Sequence, residues 1–298
     1  MFTLKELRTR YDQLHAQVEI KASTRYTEDL LWNQVLLHLG ADRLVAEVTK
    51  QDVIELKAHM RQTPVQANRA LALLSHAFNL AEDWGWRQQQ SNPCHRVKRY
   101  REKPRTRLPS IEETQRLVKA LYAFKDRNPW FVGMVLLLMM TGCRRMEIQG
   151  AKREWFQGDR LVLPDSKTGS KIIPLNSQAR AVVASIPEVK GNPYLIVGRL
   201  SGSHLVQPRK LWLQVCREAG VANLNMHDLR RLFASVAISS GQTLEQAMQL
   251  MGHTQAQTTK RYAFLMNQAK VDAMQATGDE LMNMVKKSPA WLAGPVSR

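Results

Sequence analysis

The sequence predicts a mainly α protein with a small β-sheet (α+β), built as two domains. Three observations carry this. Apolar residues recur at helical spacing through residues 23–86. A strongly basic, proline-containing stretch at 96–107 then interrupts the pattern. Two short runs rich in branched residues flank a glycine turn inside an otherwise helical second half. A chain of 298 residues can build two cores.

Residues 1–22 are polar with few apolar positions and read as an N-terminal segment too short for a core of its own. Residues 23–95 read as a helical domain. Leu30, Leu31, Val35, Leu36 and Leu39 mark one apolar stripe, and Val53, Leu56 and Met60 a second. Ala67, Ala70, Leu71, Leu74, Ala77 and Phe78 mark a third. Asn92-Pro93 ends the pattern.

Residues 96–109 read as an interdomain linker. Seven of the twelve residues at 96–107 are basic: Arg96, Lys98, Arg99, Arg101, Lys103, Arg105 and Arg107. Pro104 and Pro109 disfavour a continuous helix. Such a run can be a solvated spacer or a strap lying along phosphates, and the total charge favours the strap.

The second domain spans 110–268. Ser110 with Glu113 three residues on forms a capping-box signature. The apolar run 129–140, broken only by Gly133, is too short to span a bilayer and reads as a buried central helix ended by Thr141-Gly142. Residues 160–163 and 171–175 read as two strands around a turn at Gly169. Helices are expected at 177–186, 208–219, 227–239 and 243–251, with Gly220, Gly241 and Gly252 as stops. The tail, 269–298, contains an amphipathic stretch that could cover its own domain or dock on a neighbouring protomer.

The net charge of +17 and a pI near 10.1 imply a polyanionic partner, nucleic acid before an anionic membrane surface. The first residues hold no apolar signal core. Cys94, Cys143 and Cys216 are far apart, and no Cys/His spacing suits zinc. A reduced, cytoplasmic protein without a structural metal or cofactor is expected.

The chemistry-bearing residues fall into four short segments. Thr141-Gly142-Cys143-Arg144 leads to Glu147, which can hold Arg144 or form a simple helical ion pair. Arg145 points elsewhere, towards solvent or a DNA backbone. Lys167 sits in the turn before Gly169, where a lysine is usually solvated but can also protonate a leaving oxygen. His227 and Arg230 stand three apart on one helix face and can reach one phosphate, although an isolated pair of this kind is more often a cap and a surface charge. His253 follows Gly252, and Tyr262 stands nine residues later. Alone, these are a helix-end histidine and a half-buried aromatic. Together they supply cations for a phosphate, proton carriers and a nucleophile.

In order and spacing these segments resemble the tyrosine recombinases, the integrases of phages and mobile elements and the Xer-type resolvases. The matching motifs are T-G-x-R-x-x-E at 141–147, the turn lysine at 167, H-x-L-R at 227–230, and L-x-G-H followed by a tyrosine at 250–262. The resemblance covers the second domain strongly and the first, as a core-binding helical domain, more loosely. It implies that Tyr262 is the nucleophile forming a 3′-phosphotyrosyl link. It implies that Arg144 and Arg230 bind the non-bridging oxygens and that Lys167 is the general acid. His227 would handle the tyrosine proton, and His253 would hydrogen-bond the phosphate. Metal and ATP are not required. Double-stranded DNA with inverted core half-sites is the implied partner, bound by a homotetramer in the synapse and by monomers otherwise, with host bending or directionality factors. Fewer residues precede the helical domain than a separate arm-binding domain needs. The expected function is site-specific recombination by a mobile-element integrase. Alternatives are a Xer-type dimer resolvase, a type IB topoisomerase, a DNA-binding regulator without catalysis, and a basic helical DNA-binding protein with an accidental motif match.

Overall fold

In the computed structural model, residues 1–164, 169–252 and 274 are described. The chain divides into two compact units, Met1–Pro104 and Arg105–Arg298. Among the described residues no helix is long and apolar enough to cross a membrane.

The regular elements of the first unit are all helical. Helix α1 (Leu4–Tyr11) runs through a π-helical turn at Asp12–Ala16 into α2 (Gln17–Glu19). It is followed by α3 (Ala22–Leu39), α4 (Lys50–His59) and α5 (Pro64–Asp83). Helix α1 corrects the sequence expectation for residues 1–22. A capping box starts it, with the Thr3 hydroxyl accepting from the Glu6 N–H and the Glu6 carboxylate accepting from the Thr3 N–H. Leu4, Leu7 and Tyr11 are then buried in one core with Trp32, Val35, Val53, Leu56, Leu74 and Phe78. The first residues therefore belong to this unit and do not precede it. Leu30, placed on the apolar stripe of α3, is exposed, and Trp32 takes the inward position.

The expected linker is also shorter than 96–109. Its first half docks on the first unit. The buried Asn68 side chain accepts from the Tyr100 N–H at 2.8 Å and donates to the Tyr100 carbonyl at 2.9 Å and to Glu102 at 2.8 Å. Lys57 donates to the Lys98 carbonyl at 2.6 Å, and Val97 and Tyr100 pack on the core. A buried amide must satisfy its donors and acceptors, and an extended backbone segment does so here.

The second unit is built around α7 (Pro129–Thr141), apolar on all sides and buried from Phe131 to Leu138. Helix α6 (Ile111–Phe124) carries the Ser110–Glu113 capping box predicted from sequence. The short α8 (Arg145–Gln149) leads to an antiparallel sheet in the order β1 (Phe156–Gln157), β2 (Arg160–Leu163), β3 (Lys171–Pro174). The two-residue β1 was not legible as a strand. Leu161 pairs with Ile173, and Leu163 with Lys171. Leu161, Leu163 and Ile173 face the core. Helices α9 (Ser177–Ser185), α10 (Arg209–Glu218), α11 (Asp228–Ser239) and α12 (Leu244–Leu250) complete the described part of the unit, each close to its expected range. Gly220, Gly241 and Gly252 have positive φ where helix stops were expected. A small cluster of Ala234, Ala237, Ile238, Ala247, Met248 and Met251 holds α11 against α12. Apart from residue 274, the amphipathic stretch of the tail lies outside the described residues.

If residues 1–11 are core, Leu7→Ala removes a fully buried side chain. It should cost the first unit about 2–5 kcal/mol in urea unfolding. A loss below about 0.5 kcal/mol, the range of ordinary surface changes, would place Leu7 outside the core.

Candidate active site

The site begins where α7 ends. The Thr141 hydroxyl donates back to the Leu137 carbonyl at 2.7 Å and accepts from the Cys143 N–H at 3.2 Å. Gly142 then turns the chain with φ 60°, in the left-handed region. A Cβ there would lie 2.6 Å from the Phe233 ring and 2.8 Å from Met251 Cγ, so both backbone and space require glycine. The turn delivers Arg144 just ahead of α8. Glu147 then fixes it: Oε1 accepts from Arg144 Nη1 at 2.9 Å and Oε2 from the Arg144 N–H at 2.8 Å. Arg145 is not directed to solvent; its guanidinium bonds Gln149, which donates to the Leu205 carbonyl at 2.7 Å.

Helix α11 brings the second arginine. Arg230 is 2% exposed, and its guanidinium donates to the Gly142 carbonyl and, at 3.3 Å, to the Met251 carbonyl. One side chain thus joins the 141–147 segment, the 227–230 segment and the end of α12, where Gly252 follows with φ 69°. His227 is the N-cap residue of α11, but its ring makes no capping bond.

Beside it, Asp228 is fully buried in the first turn of α11, where the helix dipole favours an anion. It accepts from Arg105 Nε at 2.9 Å, from the Asn225 N–H at 2.8 Å and from Arg231. Arg105 also holds Asn223. Arg107 bonds Glu113 at 2.6 Å and the Leu108 carbonyl. These two arginines depart from the expected strap: buried or partly buried carboxylates and carbonyls lie within their reach and draw them inward. Arg96, Lys98, Arg99, Arg101 and Lys103 are exposed.

The sheet adds a residue that the sequence did not mark. Lys171, the first residue of β3, places its ammonium 2.7 Å from Glu147 Oε1, and both side chains are only 7% exposed. A lysine opening a strand looks like a solvated edge charge. Its only sequence signal was its position four residues after Lys167.

Electrostatics follow from this geometry. Burial pushes the Glu147 carboxyl up, but the Lys171 ammonium and then the Arg144 N–H and guanidinium more than offset it, so its pKa falls below the usual glutamate value. Surrounding protein, then Arg231 and Arg230, hold His227 below the ordinary histidine value; Arg144 acts in the same direction and Asp228 against it. His227 is nevertheless open to solvent. The lowered pKa favours the uncharged imidazole, which can accept a proton. Burial raises the Cys143 thiol to about 11.

The structure therefore gathers Arg144, Glu147, His227 and Arg230 around the Gly142 turn. Lys167, His253 and Tyr262 lie outside the described residues.

A model of the phage integrase family matches residues 111–268. The tyrosine recombinase XerC of Chromohalobacter salexigens is 29% identical over 179 residues, which cover 56% of this chain and 59% of that relative. XerD of Brucella suis is 27% identical over 228 residues, covering 69% of this chain and 73% of the relative. Among solved structures, a lambda integrase dimer bound to a COC′ core site has a TM-score of 0.73 at 19% identity, covering 88% of this chain and 95% of that one. The Tn1549 transposon integrase in complex with circular intermediate DNA has a TM-score of 0.66 at 15% identity, with 88% and 95% covered. At such identities the likeness speaks for the fold, and it agrees with the mainly helical class with a small sheet predicted from sequence.

The His227 ring should titrate in the DNA-free protein below about 6.5. Histidine Cε1 chemical shifts followed against pH measure this, with His227→Asn to assign the signal. A midpoint at or above the ordinary value would contradict the cationic surroundings described for it.

Proposed function

The chain belongs to the phage integrase family, and from that premise we propose that it is a site-specific DNA recombinase, an integrase that inserts or excises a mobile element. The observation that carries this reading is the buried Arg230, bonded to Gly142 and Met251, with Arg144 two residues beyond the first of these carbonyls. Two arginines from separate segments converge at one turn with an uncharged histidine beside them. That set suits a pentacovalent phosphate, whose developing charge is stabilised by fixed cations and whose attacking hydroxyl must lose a proton.

In the proposed reaction the Tyr262 phenolic oxygen attacks the scissile phosphorus. The Oη–P bond forms and the P–O5′ bond breaks. His227 takes the phenolic proton, and Lys167 gives a proton to the departing 5′ oxygen. Arg144 and Arg230 hold the non-bridging oxygens, and His253 hydrogen-bonds one of them. The product is a 3′-phosphotyrosyl link and a free 5′-hydroxyl. Attack by a second 5′-hydroxyl reverses each step and joins new partners. The link conserves the phosphodiester's energy, so ATP has no role. Cationic side chains supply the charge that a metal ion supplies in other phosphoryl-transfer sites.

The proposed partner is duplex DNA with inverted core half-sites, bound by four protomers in the synapse, with protomers monomeric when free. A lambda integrase tetramer bound to a Holliday junction, a protein of the same fold, supports that stoichiometry. Host bending or directionality factors and a bacterial cytoplasmic setting complete the reading. A second reading, a Xer-type dimer resolvase, is favoured by the likeness to XerC and XerD.

The test uses DNA from the two borders of the element that encodes the gene, with chelator present, and an SDS quench. Wild-type protein should give a covalent protein–DNA adduct and Tyr262→Phe none. An adduct formed equally by both would remove Tyr262 from its role. Cleavage of a chromosomal dimer-resolution site, with the element borders untouched, would select the resolvase reading.

Binding should weaken steeply with salt, because basic residues that meet phosphates release counterions. Alanine at Arg96, Lys98, Arg99, Arg101 and Lys103 should weaken binding to all sequences alike. It should lower the slope of log K against log salt by about one per lost contact. A defect confined to one sequence would contradict this, and titrations at several salt concentrations decide.

A further inference from the structure

Lys171 is a buried cation that the proposed reaction leaves without a task. Its ammonium lies 2.7 Å from Glu147 Oε1, and Arg144 Nη1 lies 2.9 Å from the same oxygen. One carboxylate oxygen is therefore shared by two cations. Glu147 uses its other oxygen for the Arg144 N–H, which leaves the Arg144 backbone and guanidinium both tied to it. The aliphatic part of Lys171 has a second neighbour. A Cβ on Gly252 would fall 2.9 Å from Lys171 Cδ and 3.0 Å from Ile173 Cδ1, so the Gly252 backbone rests directly on this side chain. Gly252 is the residue before His253. Finally, Lys171 opens β3, paired with Leu163 of β2, and stands four residues after Lys167 in the sequence.

We propose that Lys171 is a positioning residue: its ammonium locks Glu147 against Arg144, and its stem seats the backbone that leads into His253. The inference rests on the reading of Arg144 as a phosphate-binding group. A buried carboxylate facing only one guanidinium can shift with it; a second cation at a fixed strand position pins the pair to the sheet. The trio Arg144, Lys171 and Glu147 also keeps one net positive charge, whereas Arg144 with Glu147 alone is neutral and offers less stabilisation to the charge that develops on the phosphate in the transition state. The ammonium is buried against Glu147, so Lys171 acts through Arg144 and not on the departing oxygen. That separates it from Lys167, for which proton donation is proposed.

The experiment measures cleavage at saturating DNA, and DNA affinity separately, for wild type, Lys171→Met, Lys171→Arg and Lys167→Ala. Two substrates are used: an ordinary duplex, and one with sulfur replacing the bridging 5′ oxygen. A thiolate leaves without a proton, so loss of a general acid is rescued by sulfur and loss of positioning is not. Lys171→Met should slow cleavage about 100-fold, the scale of a misplaced reacting group, on both substrates and without a comparable change in affinity. Lys171→Arg, which keeps the cation for Glu147, should recover most of the rate. Wild-type rates for Lys171→Met would overturn the proposal. So would rescue of that variant by sulfur, which would make Lys171 a proton donor, or a defect seen in affinity alone. If Lys171→Met fails to fold, Lys171→Gln, which retains a hydrogen-bond donor, takes its place under the same criteria. Tyr262→Phe and Arg144→Ala on the same substrates report on the underlying reading by themselves. Full cleavage by either would refute that residue's role, whatever the Lys171 variants do.

Discussion

The second unit depends on finding acceptors for one buried guanidinium. An arginine cannot shed its charge in a protein interior, so Arg230 is tolerated only where polar partners surround it. The structure meets this demand with helix ends. Gly142 is the C-cap residue of α7 and Met251 that of α12. Both carbonyls belong to the partly negative ends of helices, where carbonyls lack partners within the helix. Two helix C-termini thus converge on a cation carried by the first turn of a third helix. Gly142 must be glycine for this to work, since any side chain would meet Phe233 and Met251. The 141–147 segment, the 227–230 segment and the end of α12 meet where this charge finds its acceptors.

The same logic appears twice more with the sign reversed. Glu147 is held by Arg144 and Lys171, and Asp228 by Arg105 and Arg231. Each buried carboxylate has two cations, so neither cancels the positive potential of the site. The acids organise the arginines and leave an excess for an anionic ligand. Such triads are costly to break because a partner left behind stays buried and unpaired.

Much of this was legible in the sequence because it obeys local rules. The capping box at Ser110, the left-handed stop at Gly142 and the β2–β3 pair each follow from a few neighbouring residues. The Thr3–Glu6 capping box was equally local, and with Leu4, Leu7 and Tyr11 at helical spacing it could have placed residues 1–11 in the first core. Other features could not be read this way. Lys171 looks like an edge-strand charge until Glu147, distant in sequence, is brought against it. Arg105 and Arg107 belong to a basic run whose composition does not distinguish inward from outward side chains. Asp228 reads as an ordinary helix-start acid, and only tertiary contact shows that it anchors the segment upstream.

The cysteines add a consequence for how the molecule meets oxidants. Cys143 lies directly before Arg144, where nearby cations would ordinarily ripen a thiol into a thiolate. Burial prevails, and the thiol stays protonated with a pKa of about 11. Cys94 and Cys216 are likewise buried, at about 12 and about 11. Thiolate is the form that peroxides and alkylating agents attack. The protein therefore keeps a sulfur atom next to the turn that delivers Arg144 without making that turn a redox liability.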